Sequence, residues 1–344
     1  MHSKIVRFPS RKLGRKAQEE SQLNWIFILI VGAVIMAFFV FIVVKQRAAS
    51  EAKFAGTVTR QLNTILIGAK VSSGTVQEIP TPELSIRFTC NDYYIGVASQ
   101  RLGNRILFAP EFLEGDRLIT WTMDWNVPFK VTSFLYLTSP LVRYIIVAQS
   151  ETDRAALEIF NALPQKLNKR LISMGEYDSL SDAGDKYVRF IFVNPSGDTF
   201  AIPTALQNVL VSGLKVETEA HDLRFLVKSG TQLITSGAIK KYGEPEAMYG
   251  AIFTDKEDEY DCIMKRAYER LKMVAKVYYE KLNLIAPIYA QTGCEGFYRN
   301  NPYLDEIIGA VEVYPPGYSQ IAEAKATLKE QNTRIQLQSC PLIY

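Results

Sequence analysis

Tyr144-Ile-Ile-Val147 is the stretch from which the fold is read. Four consecutive apolar residues do not alternate as a strand with one wet face would. They mark a strand buried on both faces, as in parallel sheets. Ser150 and Asp153 follow as helix-capping residues, and Ala156, Ile159, Phe160 and Leu163 then recur at helical spacing until Pro164. Arg170-Leu-Ile-Ser-Met174 and Tyr187-Val-Arg-Phe-Ile-Phe-Val193 return to strand grammar. Strand, helix and strand of these lengths predict a βαβ unit with a right-handed crossover. Ile146 and Ile191 then lie in neighbouring buried strands.

Towards the N-terminus, Phe129–Leu137, Arg117–Met123, Arg105–Phe108 and Leu84–Thr89 are short β-rich runs separated by Gly, Asn and Asp. They predict an antiparallel sheet. Val71-Ser-Ser-Gly-Thr75 and Ile79-Pro-Thr-Pro82 read as a turn-rich break before it. Towards the C-terminus, strands are expected at Lys215–His221, Arg224–Val227 and Met248–Phe253. Thr254-Asp-Lys-Glu257 has the spacing of a capping box and opens a long helix. Ile263, Ala267, Leu271, Val274, Tyr278 and Leu282 line one face of that helix, and Lys265, Glu269, Lys272 and Lys276 another. Pro287 and Gly293 interrupt, and shorter helices run to about Leu337. The fold class is therefore α+β, with a mixed sheet domain over 80–254 containing the βαβ segment and a helical C-terminal part over 255–344.

Before this body lies Trp25–Val44, WIFILIVGAVIMAFFVFIVV, which carries no charge. At 1.5 Å per residue it covers a hydrocarbon core of about 30 Å. The division expected is a basic tail over 1–22, a transmembrane helix over 23–44 and a helical stalk over 45–75. A cleaved secretory signal would have a shorter apolar core, and here Lys45, Gln46 and Arg47 follow instead of a small-residue exit. A prepilin-type leader cut after Gly14, with Glu19 beyond, would begin its apolar core at the cut. An uncleaved anchor is the reading adopted. Lys4, Arg7, Arg11, Lys12, Arg15 and Lys16 outweigh the basic residues on the other flank. That asymmetry places the N-terminus in the cytoplasm and the C-terminal domain outside it, in a single-pass protein of the cell membrane. Ala55, Val58, Leu62, Ile65 and Ala69 share one face of the stalk. They predict packing on the protein's own domain, with weak self-association through the stalk as the alternative.

The 344 residues are 48% hydrophobic and 22% charged, with net charge +3. This is chain enough for a substantial core, and the near-balanced charge excludes a polyanion such as nucleic acid as the main partner. Cys90, Cys262, Cys294 and Cys340 all follow the apolar run. An even number on the oxidising side of a membrane predicts two disulfides with three pairings open, buried free thiols being the alternative. Suppose the long helix runs away from Cys262, a short helix around Leu304–Ala310 runs back, and the last helix runs away again. Cys294 and Cys340 then share one end of the bundle, and Cys90 is left for Cys262.

Several stretches together carry a resemblance. They are the Trp25–Ala33 opening, Cys90-Asn91, Pro128-Phe-Lys-Val131 with Tyr136-Leu-Thr-Ser139, and Ala247-Met-Tyr-Gly-Ala-Ile-Phe-Thr-Asp255 with Tyr260-Asp-Cys262 and Lys265-Arg266. Gly293-Cys294 and Cys340-Pro341 complete the set. The chain resembles a family of uncharacterised single-pass membrane proteins of small-genome (DPANN-type) archaea. The resemblance implies topology and lineage, and no chemistry.

Candidate sites are few. His221-Asp222 has the setting of a surface turn between strands. Ser212-Gly-Leu-Lys215 with Lys228-Ser-Gly230 mimics penicillin-binding motifs at far too short a separation. Asp255, Glu257, Asp258, Glu259 and Asp261 crowd a helix N-terminus, where the dipole favours carboxylates without calcium. No catalytic, cofactor or metal residue is assigned. The expected function is a non-enzymatic, membrane-anchored extracytoplasmic domain, a cell-surface or envelope component that binds another protein and meets the bilayer through Trp25–Val44. An extracytoplasmic hydrolase with a scattered site, or a pilus or secretion accessory protein, is the alternative.

Overall fold

The computed structural model describes residues 16–69, 74–181, 184–299 and 301–344. Most of the expected basic tail, with Gly14, and Val71-Ser-Ser73 of the expected break fall outside them. Helix α1 spans Lys16–Ala69. The chain divides within it into two compact units, Met1–Thr57 and Val58–Tyr344. In the first, Trp25–Gln46 has a mean hydropathy of 3.3 and buries none of its apolar window. It is long and apolar enough to cross a membrane.

The second unit takes in the end of α1, where Val58, Thr59 and Leu62 are buried and the Tyr93 hydroxyl donates to the Thr59 carbonyl at 2.9 Å. These last turns pack on their own unit. The side chains of Ile65 and Ala69 lie outside the described ones. The sheet part and the helical part, expected as 80–254 and 255–344, form one body.

Its first sheet contains β1 (Val76–Phe88), β2 (Asp92–Ile95), β3 (Ala98–Arg101), β4 (Ile106–Phe108), β5 (Phe112–Asn126) and β6 (Lys130–Thr138), in the order β3-β2-β1-β5-β6-β4. It is antiparallel except for β4, which runs parallel to β6 with Leu107 beside Leu135. The sheet is therefore mixed, not antiparallel throughout. Ile79-Pro-Thr-Pro82 is not a break between elements but part of β1. There the pairing to β5 slips between Pro80 and Leu84, because proline has no N–H for the ladder.

The second sheet is built from β7 (Val142–Ala148), β8 (Asn168–Ser173), β9 (Tyr187–Val193), β10 (Thr199–Ala201), β11 (Leu210–Glu217), β12 (Asp222–Ser229) and β13 (Gln232–Lys241). Its order is β10-β13-β12-β11-β9-β7-β8. Helix α2 (Arg154–Ala162) links β7 to its parallel neighbour β8, which is the expected βαβ unit. Asp153 alone caps α2, accepting the Ala156 N–H at 2.9 Å. Ile146 pairs with Ile191 and both are fully buried. One face of this sheet, with Ile145, Val147, Phe190 and Phe192, is covered by α3 (Met174–Tyr177) and its following turn, which bring in Tyr177 and Leu180. Strand β13 has no counterpart in the sequence reading, because Ser236-Gly237 breaks its alternation and Gly237 sits at φ +68°.

The other face of the second sheet meets α4 (Pro245–Phe253) and α5 (Glu257–Ile288). Met248–Phe253, expected as a strand, lies in α4. A buried apolar run reads alike in either element, and Pro245 at the first turn starts the helix. Gly250 lets α4 approach β4 closely, since a Cβ there would meet the Phe108 ring at 2.6 Å. Phe253 touches rings of both sheets, Trp121 and Tyr136 from the first and Tyr144 from the second. The expected capping box is absent. Thr254 is buried as the C-cap of α4, and α5 starts after Lys256 with no side-chain cap bond. Helices α6 (Glu295–Tyr298), α7 (Pro302–Ala310) and α8 (Tyr318–Leu337) complete the body, and Pro287 lies in the last turn of α5 rather than ending it.

Candidate functional site

Two regions have the shape of sites, a cavity between the sheets and an uncovered face of α5. The cavity holds about 400 Å³ and is walled by Phe112, Val142, Tyr144, Leu210, Ile252 and Phe253, with Arg189, Ser212, Lys228, Glu111 and Asp255 as its polar lining. Arg189 projects from β9, where the outward residues of a double-sided strand should be apolar. It is 3% exposed. Its guanidinium donates to the carbonyls of Ala251 (2.9 Å), Ile252 (3.4 Å) and Thr254 (2.6 Å) at the end of α4, and to Gly213 (2.9 Å) on β11. The carbonyl end of a helix carries partial negative charge, so α4 offsets part of the cost of burying this cation. Burial still lowers its pKa to about 10, against the opposing pull of Asp255 and Tyr144. Phe225 lies under the guanidinium at 5.6 Å.

Tyr144, Asp255, Glu111 and Lys228 are also engaged. Tyr144 donates to the Thr138 hydroxyl at 2.8 Å, and burial raises its pKa. Asp255 accepts the Glu111 N–H at 2.9 Å, and Glu111 pairs with Lys256 at 2.5 Å. Lys228 donates to the carbonyls of Gln207 (2.5 Å) and Val209 (3.1 Å). These bonds tie the cavity wall together, and none of them joins a nucleophile to a general base. What the geometry offers is an apolar space with a fixed polar frame.

The residues singled out from sequence are scattered through this frame. His221 sits at φ +54° in the turn before β12, its ring 5.0 Å from Tyr242. Ser212 and Lys228 both line the cavity, but Lys228-Ser-Gly230 runs into the β12–β13 hairpin turn, with Gly230 at φ +60°. The acidic cluster disperses. Glu257 and Asp261 bind Lys240 at 2.7 and 2.6 Å, while Asp255 turns to Glu111. Burial pushes Glu259 up to about 7, helped by Asp255 and Glu111. The cysteines do come together: Cys90 with Cys262, Cα atoms 5.9 Å apart, and Cys294 with Cys340, 5.8 Å apart. The first bridge ties the first sheet to α5 across 172 residues, and the second ties the start of α6 to the C-terminal tail. Arg266 of α5 reinforces the first tie by donating to the Cys90 and Gly103 carbonyls.

Two features escaped the sequence reading. Arg189 had a signal, a lone charge inside Tyr187-Val-Arg-Phe-Ile-Phe-Val193. The second is on the outer half of α5, where Met273, Val277, Leu284 and Ile288 form a stripe that is 61–73% exposed. The opposite face carries Ala275 and Leu282, which are buried. The helix thus has two apolar stripes, one packed and one open. Comparisons with protein-family models, curated proteins and solved structures return no match.

Proposed function

We propose that this protein is a non-enzymatic, membrane-anchored extracytoplasmic domain that binds another protein at the cell surface or envelope. The observation that carries the reading is the exposed stripe of Met273, Val277, Leu284 and Ile288. Contiguous apolar surface bordered by charge marks a protein interaction site in a folded domain. The cavity favours binding over hydrolysis, because its Arg, Tyr, Lys and Asp groups are already bonded within the protein.

The compartment rests on two supports. Two disulfides persist where the surroundings are oxidising. The Lys and Arg excess before Trp25 directs the N-terminus to the cytoplasm. Trp25–Val44 is the bilayer contact in this reading, and the lineage suggested by the sequence resemblance, that of single-pass archaeal membrane proteins, belongs to it as well. Protease added to intact cells should release everything after the stalk. Survival of the domain while a known surface protein is digested would overturn the orientation.

A further inference from the structure

Resting on the protein-binding reading, we propose that the outer face of α5 takes a second copy of this chain, docked antiparallel about a two-fold axis. Met273, Val277, Leu284 and Ile288 extend over about 22 Å of helix. Lys276 and Glu280, both exposed, edge the stripe one turn apart. In an antiparallel pair, each residue of one helix lies beside a residue of the copy such that the two numbers sum to a constant, and the same edge of both helices comes together. Setting Lys276 beside Glu280 of the second copy therefore sets Glu280 beside Lys276 of that copy. One choice of register gives two ion pairs, as an isologous interface requires. The same register brings Met273 to within one residue of Leu284 of the second copy, twice over, and leaves Ile288 outside the paired stripe, opposite the buried Tyr268. It leaves the two Val277 side chains within one helical turn of the axis.

A parallel pair would bring the opposite edges together and would need Lys281 to answer Glu280. That amine is already engaged, donating to the carbonyls of Leu342 at 3.0 Å and Ile343 at 2.9 Å. Charge placement therefore selects the antiparallel arrangement, and Met273, Val277 and Leu284 agree with it.

The test uses the full chain in non-ionic detergent micelles. Sedimentation should give a protein mass of two chains. Glu280→Lys should weaken association at least tenfold by setting lysine against Lys276, and the double variant Lys276→Glu with Glu280→Lys should restore it. Restoration separates this contact from any association through the apolar helix. Under mild oxidation Val277→Cys should cross-link to itself. Met273→Cys alone and Leu284→Cys alone should not, since they lie about 15 and about 18 Å from their twins along the helix axis, while a mixture of the two should. All these positions are exposed, so an unchanged melting temperature is expected and checks that the variants fold. A one-chain mass at every concentration, or self-cross-linking at Met273 and Leu284 as strong as at Val277, would overturn the proposal. A monomer that in intact cells photo-cross-links from Val277 to a different protein would end the second-copy proposal and keep the protein-binding reading. No adduct with any protein would end both.

Discussion

The two halves of α5 obey the same helical periodicity and meet opposite fates. Along the inner half, Tyr260, Ile263, Met264, Ala267, Tyr268 and Leu271 are buried against the sheets. Along the outer half, Ala275 and Leu282 are buried while Met273, Val277, Leu284 and Ile288 stay in solvent. A helix that packs on one side needs one apolar stripe, and the inner half spends all of its apolar surface inside. The outer half carries a second stripe that its own domain does not use. Folding accounts for the first half and leaves the apolar stripe of the second exposed, which is where the proposed binding would act.

Substitutions separate these accounts, and the largest effect belongs to the buried side. Ile146→Asp or Ile191→Asp should unfold the body, since an unpaired carboxylate between paired central strands costs several kcal/mol against a total of about 5–15. Loss of the cooperative thermal transition is the expected result, and a wild-type melting temperature would show that β7 and β9 are not the core. Arg189→Met should cost about 3 kcal/mol, because four carbonyls lose their donor. Arg189→Lys should recover only part of it, because an ammonium lacks the planar fork. Chemical denaturation measures both. Gly250→Ala should cost about 2 kcal/mol by forcing the Phe108 ring out of a packed position.

A pH effect is expected where α5 begins. Burial raises the Glu259 pKa to about 7, above the ordinary carboxylate value, so the folded state holds this proton more tightly than the unfolded chain. The stability it contributes is present below the unfolded value and is lost as pH rises through about 7. Glu259→Gln removes that loss. Its melting temperature should exceed that of the wild type by more at pH 8 than at pH 5, and equal differences would deny the shift. The smallest effect belongs to the outer half. Leu284→Asp should change stability by no more than about 0.5 kcal/mol, as at any surface site free of special contacts.

Legibility in the sequence followed the same division between packed and unpacked surface. The βαβ unit was readable because Tyr144-Ile-Ile-Val147 and Tyr187–Val193 are continuous apolar runs joined by a segment of helical period. Met248–Phe253 was misread because full burial erases periodicity, and the glycine that makes helix packing possible acts only against Phe108 of a distant strand. Thr254 was misread because the capping-box spacing is local, while Arg189 and the end of α4 claim that residue from elsewhere. The stripe on α5 was missed for a different reason. Assigning one face of a helix to the core leaves the others to solvent by default, so a second apolar face passes as scattered exposed residues. The Cys294–Cys340 pairing, in contrast, followed from a supposed course of the helices and Cys90–Cys262 by remainder, and the Cα spacings of 5.9 and 5.8 Å lie within the range a bridge requires.

Photo-cross-linking in intact cells probes the outer half of α5 most directly. A photoreactive residue in place of Leu284 should give a covalent adduct with a protein, a second copy of this chain by the register argued above. The same residue in place of Glu306, exposed on α7 of the same body, should give none. Equal absence of adducts at Leu284 and Glu306, at normal expression and with the domain intact, would contradict the claim that this face of α5 is a protein-binding surface.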